Sequence, residues 1–179
     1  MVIAIPMTIY FIYFARQGII FLSGNAYEGA VMPMKLIMPT LVLIGITNIL
    51  GIQMLVPMGR EKSVLYSEIA GAVVDVIINA ILIPKYASVG AAIGTLVAEA
   101  VVLIVQFYAL KEKVKDAFIQ IPYLKIICAA LIGSGAALWV KKFENGGSIG
   151  TLILSAILFF GTYGCTLLVL KEKNSCRNI

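Results

Sequence analysis

The sequence predicts an all-α membrane protein, a polytopic bundle of six transmembrane helices. Of its 179 residues, 61% are hydrophobic and 13% are charged, whereas soluble domains average roughly 45–50% and about 25%. The apolar residues are also grouped into runs that reach the length of about 20 residues with which a helix crosses a bilayer. Together these observations nearly exclude a water-soluble enzyme.

Six apolar runs follow one another along the chain, and each is predicted to form one helix. The stretches 36–59 and 145–170 contain no charged residue and are the clearest of them. In hydrocarbon every backbone polar group must be satisfied within its own segment, and the runs lack the alternation of barrel strands, so helix is expected. The predicted spans are 1–22, 30–57, 64–84, 87–110, 122–140 and 148–170.

The basic residues of the short loops predict how the helices are oriented, because cytoplasmic loops carry an excess of Lys and Arg. One side has eight of them: Arg60, Lys62, Lys111, Lys113, Lys115, Lys171, Lys173 and Arg177. The other side has Lys85, Lys141 and Lys142. We therefore expect a multi-pass protein of the cytoplasmic membrane with both termini in the cytoplasm. The segment 111–121 is predicted to be an amphipathic helix at the cytoplasmic interface, with a solvated loop as the alternative.

The composition also limits the chemistry that the chain can perform. It has no histidine, and Cys128, Cys165 and Cys176 have no ligand-like spacing. We therefore expect no catalytic residue, no metal site and no cofactor. The basic residues lie at the ends of apolar runs rather than in one cluster, so the net charge of +5 does not indicate a nucleic-acid partner.

Three basic residues fall inside predicted spans, and one of them, Lys125, is close enough to the cytoplasmic end of its helix to reach the interface. By the helical rise, Arg16 and Lys35 each lie roughly 9 Å from the outer end of their helix. Both side chains can face a water-filled cavity through which a pyrophosphate or an acidic sugar passes, and they are then candidate substrate-binding residues. Alternatively, their long stems reach to the outer interface. The sequence leaves both interpretations open.

Acidic residues deep in a span are more informative, since their side chains have less reach. One face of the third helix carries a row at helical spacing: Glu68, Ala72, Asp75 and Asn79. The fourth helix carries another: Thr95, Glu99 and Gln106. Asp75, Glu99 and Asn79 are therefore candidates for binding a coupling proton or sodium ion. The alternative is hydrogen bonding between helices, with at least one acid kept protonated.

Two patterns predict helix shape. The second helix should be interrupted, because it contains Pro33, Gly45, Gly51 and two further prolines, Pro39 and Pro57. In the fourth helix a row of small residues should let another helix approach closely. This row consists of Gly90, Gly94 and Ala98.

Three strings occur in a characteristic order: LSGNAYEGA, NILGIQMLVPMGREK and GAVVDVIINAILIPKYASVGAAIGTLVAEA. They resemble the C-terminal part of the polysaccharide flippases, which export O-antigen and capsule repeat units and belong to the multidrug/oligosaccharidyl-lipid/polysaccharide exporter superfamily. The resemblance is close over residues 3–111 and looser from residue 122. The positions that carry it include Gly24, Tyr27, Gly59, Asn79, Pro84 and Gly90.

The resemblance implies a MATE-like fold with two six-helix lobes around a central cavity. Residues 1–110 would then be four helices of the second lobe, 111–121 a linker, and 122–179 an appended helix pair with a cytoplasmic tail. The implied substrate is an undecaprenyl-pyrophosphate-linked oligosaccharide, whose anionic head group Arg16 and Lys35 would contact. Further partners would be membrane lipids and the missing N-terminal lobe or another subunit. We therefore expect a fragment, a truncated product or one part of an assembly.

Other functions remain open on the sequence. A cation-coupled multidrug exporter would share the architecture, and a non-catalytic membrane scaffold would use its polar rows only for packing. A membrane-embedded transferase or phosphatase is disfavoured, because no acid, base or metal cluster is present at an interface.

Overall fold

The structure is a computed structural model, and it describes residues 3–111, 135 and 148–175. Every element in these ranges is helical, and they contain no strand, which confirms the predicted all-α class for this part of the chain. The chain divides into two compact units. Unit I contains the described residues 29–111, and unit II contains 3–28 together with 135 and 148–175.

Unit II contains α1 (Ala4–Tyr13), α2 (Ala15–Ser23) and the described helix nearest the C-terminus, α6 (Ser148–Ser175). The first two are separated at Phe14, whose φ of −104° and ψ of 17° are not helical, and their axes differ by 75°. The predicted continuous helix over 1–22 is therefore two short helices. No proline or glycine stands at the break.

An aromatic core holds unit II together. Tyr10, Phe14 and Phe159 are each at most 3% exposed. The Tyr10 ring stacks on Phe14 at a centroid distance of 4.9 Å and lies 5.4 Å from Phe159. The Tyr10 hydroxyl and Ser155 Oγ form a buried hydrogen bond of 3.2 Å, so the polar end of this ring is satisfied as well.

The second apolar run is interrupted, as its prolines and glycines predict. A 3₁₀ helix (Asn25–Ala30) precedes α3 (Val31–Ile37), and α4 (Thr40–Asn48) continues directly into a π-helix (Ile49–Leu55). The break between α3 and α4 falls at Pro39, which has no N–H for the helical ladder. The π-helix contains Gly51.

The helix α5 (Glu61–Leu110) is a hairpin rather than one straight rod. Its direction reverses at Ala87, where φ is 46° and ψ is −124°, so it consists of arm 1 (61–86) and arm 2 (88–110). The arms are antiparallel, since Arg60 Nη1 donates to the carbonyl oxygen of Ala109 at 2.8 Å. The predicted separation into helices 64–84 and 87–110 is thus confirmed to within a few residues.

Small residues bring the two arms into close contact. A Cβ atom at Gly90 would lie 2.6 Å from the carbonyl carbon of Leu82, and one at Gly94 would collide with the side chain of Asn79. The predicted small-residue row is therefore confirmed as a packing surface. Gly71 of arm 1, which was not predicted, has the same role against Val102.

Among the described residues, the segments Asn25–Leu55 and Glu61–Leu110 are long and apolar enough to cross a membrane, and the bent pair α1–α2 makes three if it counts as one span. The hairpin also exposes large apolar side chains to its surroundings, including Val73, Val76 and Ile77. The chain is therefore suited to membrane association. Six spans remain a prediction, because 122–140 and all but the first residue of 111–121 lie outside the described residues, apart from residue 135.

Candidate functional site

A cavity of about 210 Å³ lies between the two arms of the hairpin, and we call it the Asp75 cavity. Arm 1 lines it with Glu68, Gly71, Ala72 and Asp75, and arm 2 with Thr95, Ala98, Glu99 and Val102. The two polar rows that the helical spacing predicts thus face each other. Three carboxyl side chains border one space between otherwise apolar helices.

The polar atoms beside Gly94 lack hydrogen-bond partners. Oδ1 of Asp75 and Oδ1 of Asn79 are both buried, and neither accepts a hydrogen bond from any described residue. A Cβ atom at Gly94 would lie 3.3 Å from Asp75 Oδ1 and would collide with Asn79 Oδ1, so the glycine allows both oxygens to approach arm 2. A buried acceptor without a donor costs free energy, and a proton donor or a cation bound here would remove that cost.

A second cavity, of about 250 Å³, lies between the hairpin and the second apolar run, and we call it the Gln106 cavity. The run lines it with Ile44, Thr47, Asn48, Gly51 and Ile52, and the hairpin with Val64, Glu68, Glu99 and Gln106. Glu68 and Glu99 border both cavities. The predicted row of Thr95, Glu99 and Gln106 is therefore divided between two neighbouring spaces.

Gln106 is the most buried polar side chain of these cavities, with 1% of its surface exposed. Its Nε2 donates to Ser67 Oγ at 3.2 Å, while its Oε1 has no hydrogen-bond partner in the described structure. Gly51 of the π-helix makes room for this amide, because a Cβ atom there would lie 3.1 Å from Nε2.

The two basic candidates have different surroundings and belong to different units. Arg16 Nε donates to Glu28 Oε1 at 2.7 Å, and the two side chains are 62% and 60% exposed. Lys35 is exposed on α3, and no described carboxylate forms an ion pair with it. The prediction that Arg16 and Lys35 share a membrane depth is not tested by this arrangement.

Three features of the site were missed from the sequence. Glu28 follows Arg16 by 12 positions, across Gly24 with its φ of +83°, and no helical spacing links the two residues. Gly51 and Ser67 were not connected with Gln106, because their contacts join separate helices. The sequence indicates these contacts only through the presence of a glycine and a serine at similar depths in neighbouring predicted spans.

The carboxyl groups are spread along the cavities. In the described part of the chain, no three His, Cys, Asp or Glu side chains converge as ligands of one metal ion. The geometry is instead that of single carboxylates accompanied by amide and hydroxyl groups. Such a lining can exchange a proton or hold a singly charged cation together with water.

In its described residues the protein thus belongs to a class of all-helical proteins, with apolar helices compatible with membrane association and two polar cavities bordered by its long hairpin. Comparison of the chain with known protein families, with curated proteins and with solved structures gave no match.

Proposed function

We propose that this chain is part of a membrane transporter that flips undecaprenyl-pyrophosphate-linked oligosaccharide across the cytoplasmic membrane for polysaccharide synthesis, coupled to a proton or sodium ion. The substrate class comes from the flippase resemblance of residues 3–111. The role in ion coupling is inferred from the polar side chains that line the two cavities. Part of the resemblance and the three carboxyl groups that border the cavities lie on the same hairpin.

The observation that carries the proposal is the placement of Asp75, Asn79 and Glu99 inside an apolar hairpin. Charged groups in hydrocarbon are costly, and they are retained where they bind or move ions. Here Asp75 and Asn79 present buried oxygens without donors, and Glu99 borders both cavities. A coupling ion bound at these oxygens would compensate for the cost of burying them.

The structure also separates the two candidates for binding the anionic head group. The charge of Arg16 is balanced by Glu28, whereas Lys35 has no described acidic partner. We therefore assign the main head-group contact to Lys35 and a smaller role to Arg16. Lys35→Ala should weaken binding of the pyrophosphate lipid by about ten- to a hundredfold, because a charge-assisted contact is worth roughly 1.5–3 kcal/mol.

The proposal is tested with the full chain, reconstituted together with any subunit that copurifies with it, in vesicles that contain a fluorescent undecaprenyl-pyrophosphate oligosaccharide. A membrane-impermeant quencher should extinguish more of the fluorescence than in protein-free vesicles, because lipid from the inner leaflet becomes accessible. Native mass spectrometry on the same preparation should show the retained lipid. The absence of both flipping and lipid binding would overturn the proposal.

The coupling role has a separate test. Asp75→Asn should slow flipping about tenfold and change its dependence on sodium or pH, because a charge that faces the cavity is lost. Glu61→Gln is the matched control, since Glu61 is an exposed carboxylate that lines neither cavity. An unchanged ion dependence in Asp75→Asn would remove Asp75 from the mechanism.

One alternative is favoured by a specific observation. The carboxyl lining of both cavities would also suit a cation-coupled exporter of cationic drugs. Vesicles that accumulate a cationic dye, together with oligosaccharide flipping that is unaffected by Lys35→Ala, would favour this function. A chain that tolerates neutral substitutions at Asp75, Glu99 and Arg16 in both assays would instead be a non-catalytic scaffold.

A further inference from the structure

The Gln106 cavity has a lining of oxygen acceptors, and this distinguishes it from an ordinary packing defect. Its polar groups come from Thr47, Asn48, Glu68, Glu99 and Gln106. An empty packing defect would be apolar, whereas a polar cavity of this size admits water or an ion. The kind of ligand that fits depends on which of these groups still have an unused hydrogen-bond donor or acceptor.

The orientation of the Gln106 amide is fixed by its neighbours. Ser67 Oγ donates its proton to the carbonyl oxygen of Val64 at 2.6 Å. Ser67 can therefore only accept a hydrogen bond from Gln106, and Nε2 donates it at 3.2 Å. Oε1 is thereby left without a donor in a side chain that is 99% buried.

Two donors of the second apolar run are satisfied within the run itself. Thr47 Oγ1 donates to the carbonyl oxygen of Ile44 at 3.1 Å, and Asn48 Nδ2 donates to the same oxygen at 2.9 Å. What remains for a ligand is the second N–H of each amide, the hydroxyl oxygen of Thr47, the amide oxygens and two carboxylates. Acceptors outnumber donors in this lining, and two of them are carboxylates, which favours a cation or a ligand that donates hydrogen bonds.

We propose that the Gln106 cavity binds a hydrated alkali-metal cation, whose waters link the Glu99 carboxylate to Gln106 Oε1 two helical turns further along arm 2. The volume of about 250 Å³ accommodates an ion with several waters, since each water occupies about 30 Å³. Waters complete the coordination, which agrees with the lack of a convergent three-carboxylate cluster among the described residues. The π-helix beside the cavity is a distortion that often marks a functional site.

This site is separate from the coupling residues Asp75 and Asn79. Gln106 lines the Gln106 cavity and not the Asp75 cavity, whereas Asp75 lines only the latter. The inference goes beyond the proposed function, because it depends on neither the transported substrate nor the role of Asp75. Glu99 is the only residue argued to act at both sites.

The test is equilibrium binding of radioactive ²²Na⁺ to the full chain in nanodiscs, with choline chloride keeping the ionic strength constant. We expect saturable binding to the wild type and about tenfold weaker binding to Gln106→Leu at this site. Gln53→Leu is the matched control and should bind as the wild type does, because Gln53 is exposed and lines neither cavity. No saturable binding by the wild type, or undiminished binding by Gln106→Leu, would overturn the inference.

Gln106→Leu also loses the hydrogen bond to Ser67 and can misfold for that reason, so a second variant tests the same cavity independently. Gly51→Ala keeps every polar group of the cavity and adds a Cβ atom 3.1 Å from Gln106 Nε2 and 3.4 Å from Oε1. Circular dichroism should show a folded protein, and ²²Na⁺ binding should weaken several-fold. Wild-type affinity in folded Gly51→Ala and unchanged binding in Glu99→Gln would together reject the site.

The same assay distinguishes this inference from the proposed coupling site. If Asp75→Asn abolishes all binding while Gln106→Leu abolishes none, the Gln106 site is wrong and the coupling role stands. If Gln106→Leu abolishes binding while Asp75→Asn has no effect, the Gln106 site stands and a sodium-coupling role of Asp75 is wrong.

Discussion

The two units are similarly apolar, yet their interiors are held together differently. Unit II packs large rings around Tyr10, and its described ion pair, Arg16 with Glu28, is exposed. Unit I brings helices together over glycines and borders two cavities with carboxyl and amide groups. A buried amide also occurs in unit II, at Gln17. Since lipid is as apolar as leucine, burial of apolar surface alone does not hold helices together in a membrane. Ring packing therefore dominates the interior of unit II, and close helix approach around polar cavities dominates that of unit I.

The largest expected effect concerns glycine contacts. Gly90→Ala should destabilise the protein by about 1–3 kcal/mol, because the added Cβ would meet backbone atoms of Leu82 that cannot rotate away. Gly161→Ala in α6 is the matched control, because nothing lies within 4 Å of its Cβ position. It should be neutral or stabilise the helix by up to about 1 kcal/mol. Denaturant unfolding in micelles, monitored by circular dichroism, gives the free energy of unfolding of both variants. Equal losses of this free energy would refute the contrast between the units.

A smaller effect is expected in the aromatic core of unit II. Phe159→Leu should cost about 1 kcal/mol, because Phe159 is 1% exposed and loses its ring contact with Tyr10. Phe160 also lies near Tyr10, at 5.6 Å, but is 40% exposed, so Phe160→Leu should cost less. The same unfolding assay compares them. A larger loss of unfolding free energy in Phe160→Leu than in Phe159→Leu would show that the core is not organised around the buried ring of Phe159.

The smallest effect should come from the pair of Arg16 and Glu28. A double-mutant cycle with Arg16→Ala and Glu28→Ala should give a coupling free energy of about 0.2–1 kcal/mol, because the pair is solvent-exposed. The coupling should decrease as salt is added. A coupling well above this range, insensitive to salt, would mean that the pair is shielded from water and would make unit II more like unit I.

Helical periodicity was sufficient to predict the polar faces of the hairpin. Asp75 and Asn79 are four residues apart, and this spacing alone places them on one side of arm 1. The break at Phe14 was not predictable in this way, because it has no proline or glycine and accompanies aromatic contacts with a helix more than 100 residues away. Local signals therefore identified the helices and their faces, whereas the bend depended on long-range packing.

Neither the division into units nor the hydrogen bonding of Gln106 could be predicted from the sequence. Unit II joins the first described residues to α6, and such pairing has no local pattern. Gln106 was recognised as part of a polar row. Its missing partner, however, depends on Ser67 giving its proton to Val64, a detail that only coordinates reveal.

The reversal at Ala87 affects how these residues reach the bilayer during synthesis. An arm 1 inserted alone would present Asp75 to lipid, and an aspartate at the centre of an isolated span costs roughly 2.5–3.5 kcal/mol. A tight turn lets arm 2 follow at once, so that its glycines cover the polar face before it meets acyl chains. We therefore expect the biosynthetic machinery to release the two arms together, as a single insertion event.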